Sequence, residues 1–127
     1  MKTTHIAITA AAASLLLTAG AAQAAGDAAR GEKLFQECRA CHSVERGATG
    51  AMGPSLYGVF GRKSGSLDDF RYSPAFKRSD IVWNAQTLSA YIADPQKAIP
   101  ANRMPYAGLP GERDRADLLQ YLQQTFR

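Results

Sequence analysis

The chain has 127 residues, 46% hydrophobic and 20% charged, with a formal net charge of +4. That length suits a single domain, and lysines and arginines scattered along it, with no stripe between aromatics, argue against nucleic acid as a partner. A modest positive charge suits acidic protein partners better, because complementary fields chiefly raise association rates.

Residues 1–24 read as a cleaved secretory signal. Lys2 precedes the uncharged stretch 6–17, which is too short for a membrane-spanning helix, and Ala22-Gln23-Ala24 has the small-x-small pattern of a cleavage site. Ala19-Gly20-Ala21 is a second such site. An uncleaved anchor is the competing reading, disfavoured by the alanines and threonines that dilute the apolar run. Export implies a periplasmic location for the domain, residues 25–127, with no membrane anchor. Cleavage removes Lys2 and His5, leaving 14 basic and 11 acidic side chains, a net +3, and His42 as the single histidine.

Asp27 caps a predicted helix reaching about Cys38, with Ala28, Leu34, Phe35 and Cys38 towards one side. Gly31 inside it costs about 1 kcal/mol relative to alanine and marks the close approach of another helix. Glycines 47, 50, 53, 58, 61 and 65, with Pro54, predict loop and turns through residues 47–66. Ser73-Pro74 reads as the N-cap and first position of a short helix. Asn84 caps a second long helix that stops before Pro95 and turns Leu88, Tyr91 and Ile92 inward. Residues 95–111 read as another proline- and glycine-rich loop. The last helix runs from about Glu112 to Thr125, with Leu118, Tyr121, Leu122 and Thr125 on its inner stripe. Strand signals are nearly absent. The expected class is all-α, three main helices plus short ones joined by long loops. Such loops are uncommon in a small domain unless functional, and roughly 100 residues bury only a limited core, so a bound cofactor is expected to organise them.

Both cysteines and the remaining histidine lie in Glu37-Cys-Arg-Ala-Cys-His-Ser43. Zinc would need four ligands, and the exported chain offers two thiols and one imidazole. A thioredoxin-like redox pair belongs beside a βαβ pattern, which is absent, and a structural C-x-x-C disulfide closes too small a loop to stabilise much. Covalent haem accounts for every residue. Cys38 and Cys41, three positions apart at a helix end, each add to one porphyrin vinyl group, and His42 turns its imidazole to the iron. C-x-x-C-H alone is a short pattern; an export signal ahead of it makes the reading specific, because c-type haem is attached after export. A second axial histidine is unavailable, so the candidates are Met52 and Met104. Met52, ten residues past His42 and followed by Gly53-Pro54, stays on the His42 side. Met104 sits in the proline-bounded stretch Ile99-Pro-Ala-Asn-Arg-Met-Pro-Tyr106. Without a haem it would read as a packing residue; with one it is the preferred ligand.

Beyond that motif, Gly31-Glu-Lys-Leu-Phe35, Gly53-Pro-Ser-Leu56, Gly58-Val-Phe-Gly-Arg-Lys63, Asp80-Ile-Val-Trp83, Leu88-Ser-Ala-Tyr91, Asp94-Pro95, Ile99-Pro100, Met104-Pro-Tyr-Ala-Gly108 and Asp117-Leu-Leu-Gln-Tyr-Leu122 follow in family order. The chain thus resembles the class I cytochromes c, the short soluble bacterial and mitochondrial type, over essentially all of its exported part. The resemblance implies that fold around one haem c, with iron held by His42 and Met104. It implies that the Pro54 carbonyl orients His42, and that Arg62, Tyr72 and Trp83 donate to buried haem propionates. As plain packing, Tyr72 and Trp83 would be core aromatics and Arg62 a solvated charge. Tyr91 is similar to the aromatic lining the methionine side, and Asn102 to a polar residue of the ligand loop. Gly31, Phe35 and Tyr121 resemble the contact of first and last helices. Phe76 departs from the pattern, standing where many relatives carry a polar residue. The basic surface is also thinner than in mitochondrial members, with Asp68-Asp69 adding acid.

The implied function is a monomeric periplasmic one-electron carrier, not an enzyme. Phe35, Leu56, Trp83, Tyr91 and Leu118 would wall the haem, and Arg39, Lys97, Arg103 and Tyr106 would rim its exposed edge. Donors would be a membrane cytochrome complex or a dehydrogenase, and acceptors a terminal oxidase or reductase. Two alternatives are a cytochrome subunit held within a periplasmic dehydrogenase and a gas- or peroxide-reactive haem protein.

Overall fold

The computed structural model describes residues 26–48 and 51–126; the expected signal segment lies outside the described residues. Five helices follow in order: α1 (Ala28–Arg39), α2 (Pro74–Arg78), α3 (Ala85–Ala93), α4 (Pro95–Ala98) and α5 (Glu112–Thr125). Four begin where a short polar side chain satisfies free backbone amides. Asp27 accepts from Ala29 and Arg30, Ser73 from Phe76 and Asp94 from Lys97, while Asn84 and Thr87 form a reciprocal capping box. Helix α5 has no such cap; Glu112 and Asp114 in its first turn face the positive end of the helix dipole instead.

Helix α4 falls within the stretch expected to be loop from residue 95 onward. Asp94-Pro95 repeats the arrangement of Ser73-Pro74, an N-cap followed by proline at the first helical position. One turn is too short to show an apolar period, which is why sequence pattern alone passes over it.

The frame is the crossing of α1 with α5. A Cβ on Gly31 would stand 2.0 Å from the Asp117 carbonyl oxygen, and one on Gly26 would stand 2.2 Å from that of Ala116. Two glycines therefore let the backbones touch, where any side chain would force them apart. Buried Asp117 seals the crossing by accepting from the Asp27 backbone N–H at 2.7 Å and from Arg30 at 2.6 Å. Arg30 also pairs with Asp114. Such a buried carboxylate needs this set of partners.

Phe35 is fully buried at the centre, its ring 5.3 Å from those of Tyr121 and Phe126. Leu118, Leu119 and Leu122 complete the α5 face. Thr125, expected on that stripe, is exposed. The chain leaves the helix at Phe126, and that ring enters the core in its place.

The long loops are tied by backbone bonds. Residues 61–64 run antiparallel to 81–83 through Gly61 N–H to Trp83, Trp83 N–H to Arg62 and Ser64 N–H to Ile81, at 2.7, 2.9 and 2.8 Å. This short ladder, with its bridge Lys63–Val82, is the only β pairing among the described residues. It sets Arg62 and Trp83 side by side. None of the described helices is long and apolar enough to cross a membrane.

Candidate haem site

The site starts at the C-terminal end of α1. Cys38 lies in its last turn, and its carbonyl accepts from the backbone N–H of Cys41 at 3.1 Å and of His42 at 2.9 Å. The chain therefore curls past the helix end, which puts Cys38, Cys41 and His42 on one turn of backbone. The thiols are half-buried and not joined. Burial, then the neighbouring Glu37 carboxylate, pushes the Cys38 thiol up to about 11. A catalytic redox thiol needs the opposite, a pKa lowered by positive surroundings. Among the described residues no three His, Cys, Asp or Glu side chains form a group that could hold a metal ion.

His42 Nδ1 lies 2.7 Å from the Pro54 carbonyl oxygen. A carbonyl only accepts, so Nδ1 carries the proton and Nε2 keeps its lone pair for a metal. Burial, with Arg62 adding to it, lowers the imidazole pKa against the opposing effect of the Pro54 bond. The neutral ring is the ligating form. A Cβ on Gly53 would stand 2.5 Å from the ring's Cε1 and 2.6 Å from Nδ1. Gly53 thus lets the Pro54 loop lie flat on the imidazole, a role the bare sequence does not disclose.

The other wall is the loop after α4. Asn102 is buried and makes three side-chain bonds. Its Nδ2 donates to the carbonyls of Pro95 and Ile99 at 2.8 and 3.0 Å, and its Oδ1 accepts from the Met104 backbone N–H at 2.9 Å. Gln96 adds a bond to the Asn102 carbonyl at 3.1 Å. These anchors hold Ala101 at φ 63°, a left-handed conformation that costs a non-glycine residue roughly 1–2 kcal/mol. Side-chain hydrogen bonds thus anchor the loop that carries Met104. The Tyr91 hydroxyl points to the Met104 sulfur at 3.7 Å, and burial pushes its pKa up. Met104 is half-buried, whereas Met52 is 75% exposed. Burial, and after it the charges of Cys38 and Glu37, pushes the pKa of Tyr106, two residues past Met104, upward.

Arg62 donates to the carbonyls of Tyr57 and Ser55 at 3.1 and 2.7 Å. The ion pairs among the described residues, Arg30–Asp114, Arg30–Asp117 and Lys63–Asp80, leave it without a carboxylate contact. Burial lowers its pKa, with Tyr72 and Asp69 as smaller opposing influences. A half-buried guanidinium held by carbonyls alone is suited to an incoming anion. Tyr72 is buried near enough for the Arg62 charge to act against the upward shift from burial. Trp83 is buried with its ring 5.3 Å from that of Tyr91.

The donor set fits a covalent haem. Two thiols and a neutral imidazole lie at the end of α1 and a thioether on an anchored loop, and the Arg62 guanidinium and Tyr72 phenol are groups that could bind carboxylates. Of the proposed walls, Phe35, Trp83, Tyr91 and Leu118 are buried and Leu56 is half-buried; Arg39, Lys97 and Arg103 are exposed and Tyr106 is half-buried.

Comparison with known proteins agrees with this geometry. The family described as Cytochrome c matches residues 28–126. The chain is 40% identical to cytochrome c-554 of Methylosinus trichosporium over 124 residues, 98% of this chain and 94% of that protein. It is 43% identical to cytochrome c2 of Blastochloris viridis over 110 residues, 87% of each. Over 101 residues it is 46% identical to cytochrome c of Theileria parva, covering 79% of this chain and 87% of that one.

Proposed function

The chain belongs to the cytochrome c family, and on that premise we propose a periplasmic one-electron carrier whose iron is held by His42 and Met104. Members of the family carry haem c covalently on a cysteine pair and transfer electrons without being enzymes; Cys38 and Cys41 are the two cysteines here. The haem supplies the Fe(III)/Fe(II) couple. His42 contributes Nε2, freed by the bond of Nδ1 to Pro54, and Asn102 fixes the backbone that carries the Met104 thioether. Arg62, Tyr72 and Trp83 receive the propionates, and Tyr91 lines the sulfur side. Thioether ligation raises the potential relative to a more basic sixth ligand, and the apolar surroundings disfavour the extra charge of the ferric state. Residues 1–24 direct export and are removed, leaving 25–127 as the carrier. Its partners are redox proteins that meet the edge near Arg39, Lys97, Arg103 and Tyr106.

The observation that carries the axial assignment is the contrast between the two methionines of the domain, Met104 half-buried on an anchored loop and Met52 largely in solvent. Carbon monoxide tests it. The reduced, air-free protein is expected to show no prompt change in its visible spectrum under the gas, because both axial positions are filled. Immediate and complete binding would instead favour a gas-reactive haem protein.

A further inference from the structure

The loop that carries Met104 runs from the end of α4 to the start of α5, over residues 99–111. Asn102 and Gln96 anchor its first half. Its far end is fastened against two helices. Leu109 N–H donates to the Ile92 carbonyl on α3 at 2.8 Å. Gly108, at φ 104°, lies so close to the end of α3 that a Cβ there would stand 2.4 Å from the Ala93 carbonyl oxygen. From the other side, Arg115 on α5 donates through Nη1 to the carbonyls of Leu109 and Pro110, at 2.8 and 2.6 Å. Its Nε donates to Ser89 Oγ on α3 at 3.1 Å. One guanidinium thus joins the end of the loop to both helices. Between Met104 and this clamp, residues 105–107 make one hydrogen bond among the described residues, from Tyr106 N–H back to the Met104 carbonyl at 2.9 Å.

Helix α5 itself gains little from a cation at this position. Arg115 stands about one turn from the start of α5, at the end where the dipole disfavours positive charge. The ion pairs among the described residues, Arg30 with Asp114 and Asp117 and Lys63 with Asp80, leave it no carboxylate contact. What it does hold is neutral oxygen on the loop and on α3. Hydrogen bonds from a charged donor are about twice as strong as neutral ones, and without this donor the Leu109 carbonyl loses its partner in a part-buried place.

We propose that Arg115 is a positioning residue that clamps the far end of the Met104 loop, and so sets how often the thioether leaves the iron and an outside ligand enters. Segments of a folded domain open locally, each at a free energy set by its own contacts, and Arg115 supplies the contacts at the end of this loop that Asn102 does not reach. The inference rests on Met104 as the ligand, and it concerns when the thioether departs, not the potential it confers.

Cyanide binding to the ferric, haem-loaded full chain tests it, because the limiting rate at high cyanide is the rate of loop opening. In Arg115→Met that rate is expected to rise at least about tenfold, as expected on losing a hydrogen bond from a charged donor. Hydrogen exchange at the Leu109 amide should accelerate with it, while the Phe35 amide within α1 keeps its wild-type protection. Arg30→Met provides the contrast, since it removes a partner of buried Asp117 at the α1–α5 crossing and leaves the loop untouched. It is expected to unfold at lower temperature yet to take up cyanide within about twofold of the wild-type rate. A wild-type limiting rate in Arg115→Met would overturn the proposal. So would an equal acceleration in Arg30→Met, because general loosening would then explain the effect. Should Arg115→Met fail to fold, Arg115→Lys carries the same test. A single ammonium cannot serve all three acceptors, so faster cyanide entry is expected there too, and a wild-type rate would be equally fatal. A failure of the ligand assignment is separately visible, as a Met104→Ala protein whose spectrum matches that of the wild type.

Discussion

Met104→Ala is expected to lower the reduction potential by at least ~59 mV, a tenfold change in the ferrous-to-ferric ratio of a one-electron couple, and to let the reduced protein bind carbon monoxide promptly. A thioether is a soft ligand that favours the ferrous state, and alanine cannot replace it. Met52 is not placed to substitute. It is 75% exposed and adjoins Gly53, where a Cβ would stand 2.5 Å from the His42 ring. The variant should still fold, because the loop is held by Asn102 through Pro95, Ile99 and the backbone N–H of residue 104, none of which needs the methionine side chain. Potential and gas binding should therefore change while thermal unfolding moves little. A variant with wild-type potential and spectrum would remove Met104 from the iron.

The second large effect concerns the tethers. The double variant Cys38→Ser, Cys41→Ser is expected to carry no covalent haem, so that acidified organic solvent extracts any pigment from the protein, whereas the wild type keeps its colour through the same extraction. The folded state should weaken with it. A long loop runs between α1 and α2, and a domain this small depends on what it binds for a large part of its stability. Far-ultraviolet circular dichroism should show most of the helical signal lost at room temperature. A well-folded double variant with extraction-resistant haem would contradict the roles given to Cys38 and Cys41. Serine serves better than alanine here, since it keeps the size and hydrogen-bonding capacity of the thiol.

Much of the fold was legible because its signals are local. Asp27, Ser73 and Asn84 cap helices where short polar side chains precede helical runs, and Gly31 does mark a helix crossing. What escaped has physical reasons. Helix α4 is a single turn with no period to read. Gly26 lies just before α1, and nothing around it in the sequence shows that it meets Ala116. The burial of Asp117 depends on two partners 87 and 90 residues away. Phe126 takes the inner place expected of Thr125 because the helix ends one residue earlier, and the ring turns back on Phe35.

The candidate site divides in the same way. Cys38, Cys41 and His42 stand together in sequence and in space, so their chemistry could be read at once. Asn102 came only from resemblance, and its bonds could not be foreseen, since two of its acceptors, Pro95 and Ile99, are placed by α4. Gly53 reads in the sequence as a turn residue, whereas its position against the imidazole is a three-dimensional fact. Arg62 was expected to meet a carboxylate. The structure adds the two carbonyls that aim it and the lack of an ion-pair contact among the described residues.

A carrier of this kind moves single electrons on an iron, whereas a dithiol protein exchanges electron pairs on its two thiols. A spectroelectrochemical titration of the exported, haem-loaded protein decides between them. One haem per chain and a single reversible wave are expected, with the oxidised-to-reduced ratio changing tenfold per ~59 mV. A protein without haem absorbance, or one whose couple follows the two-electron slope of ~30 mV per tenfold, would contradict it.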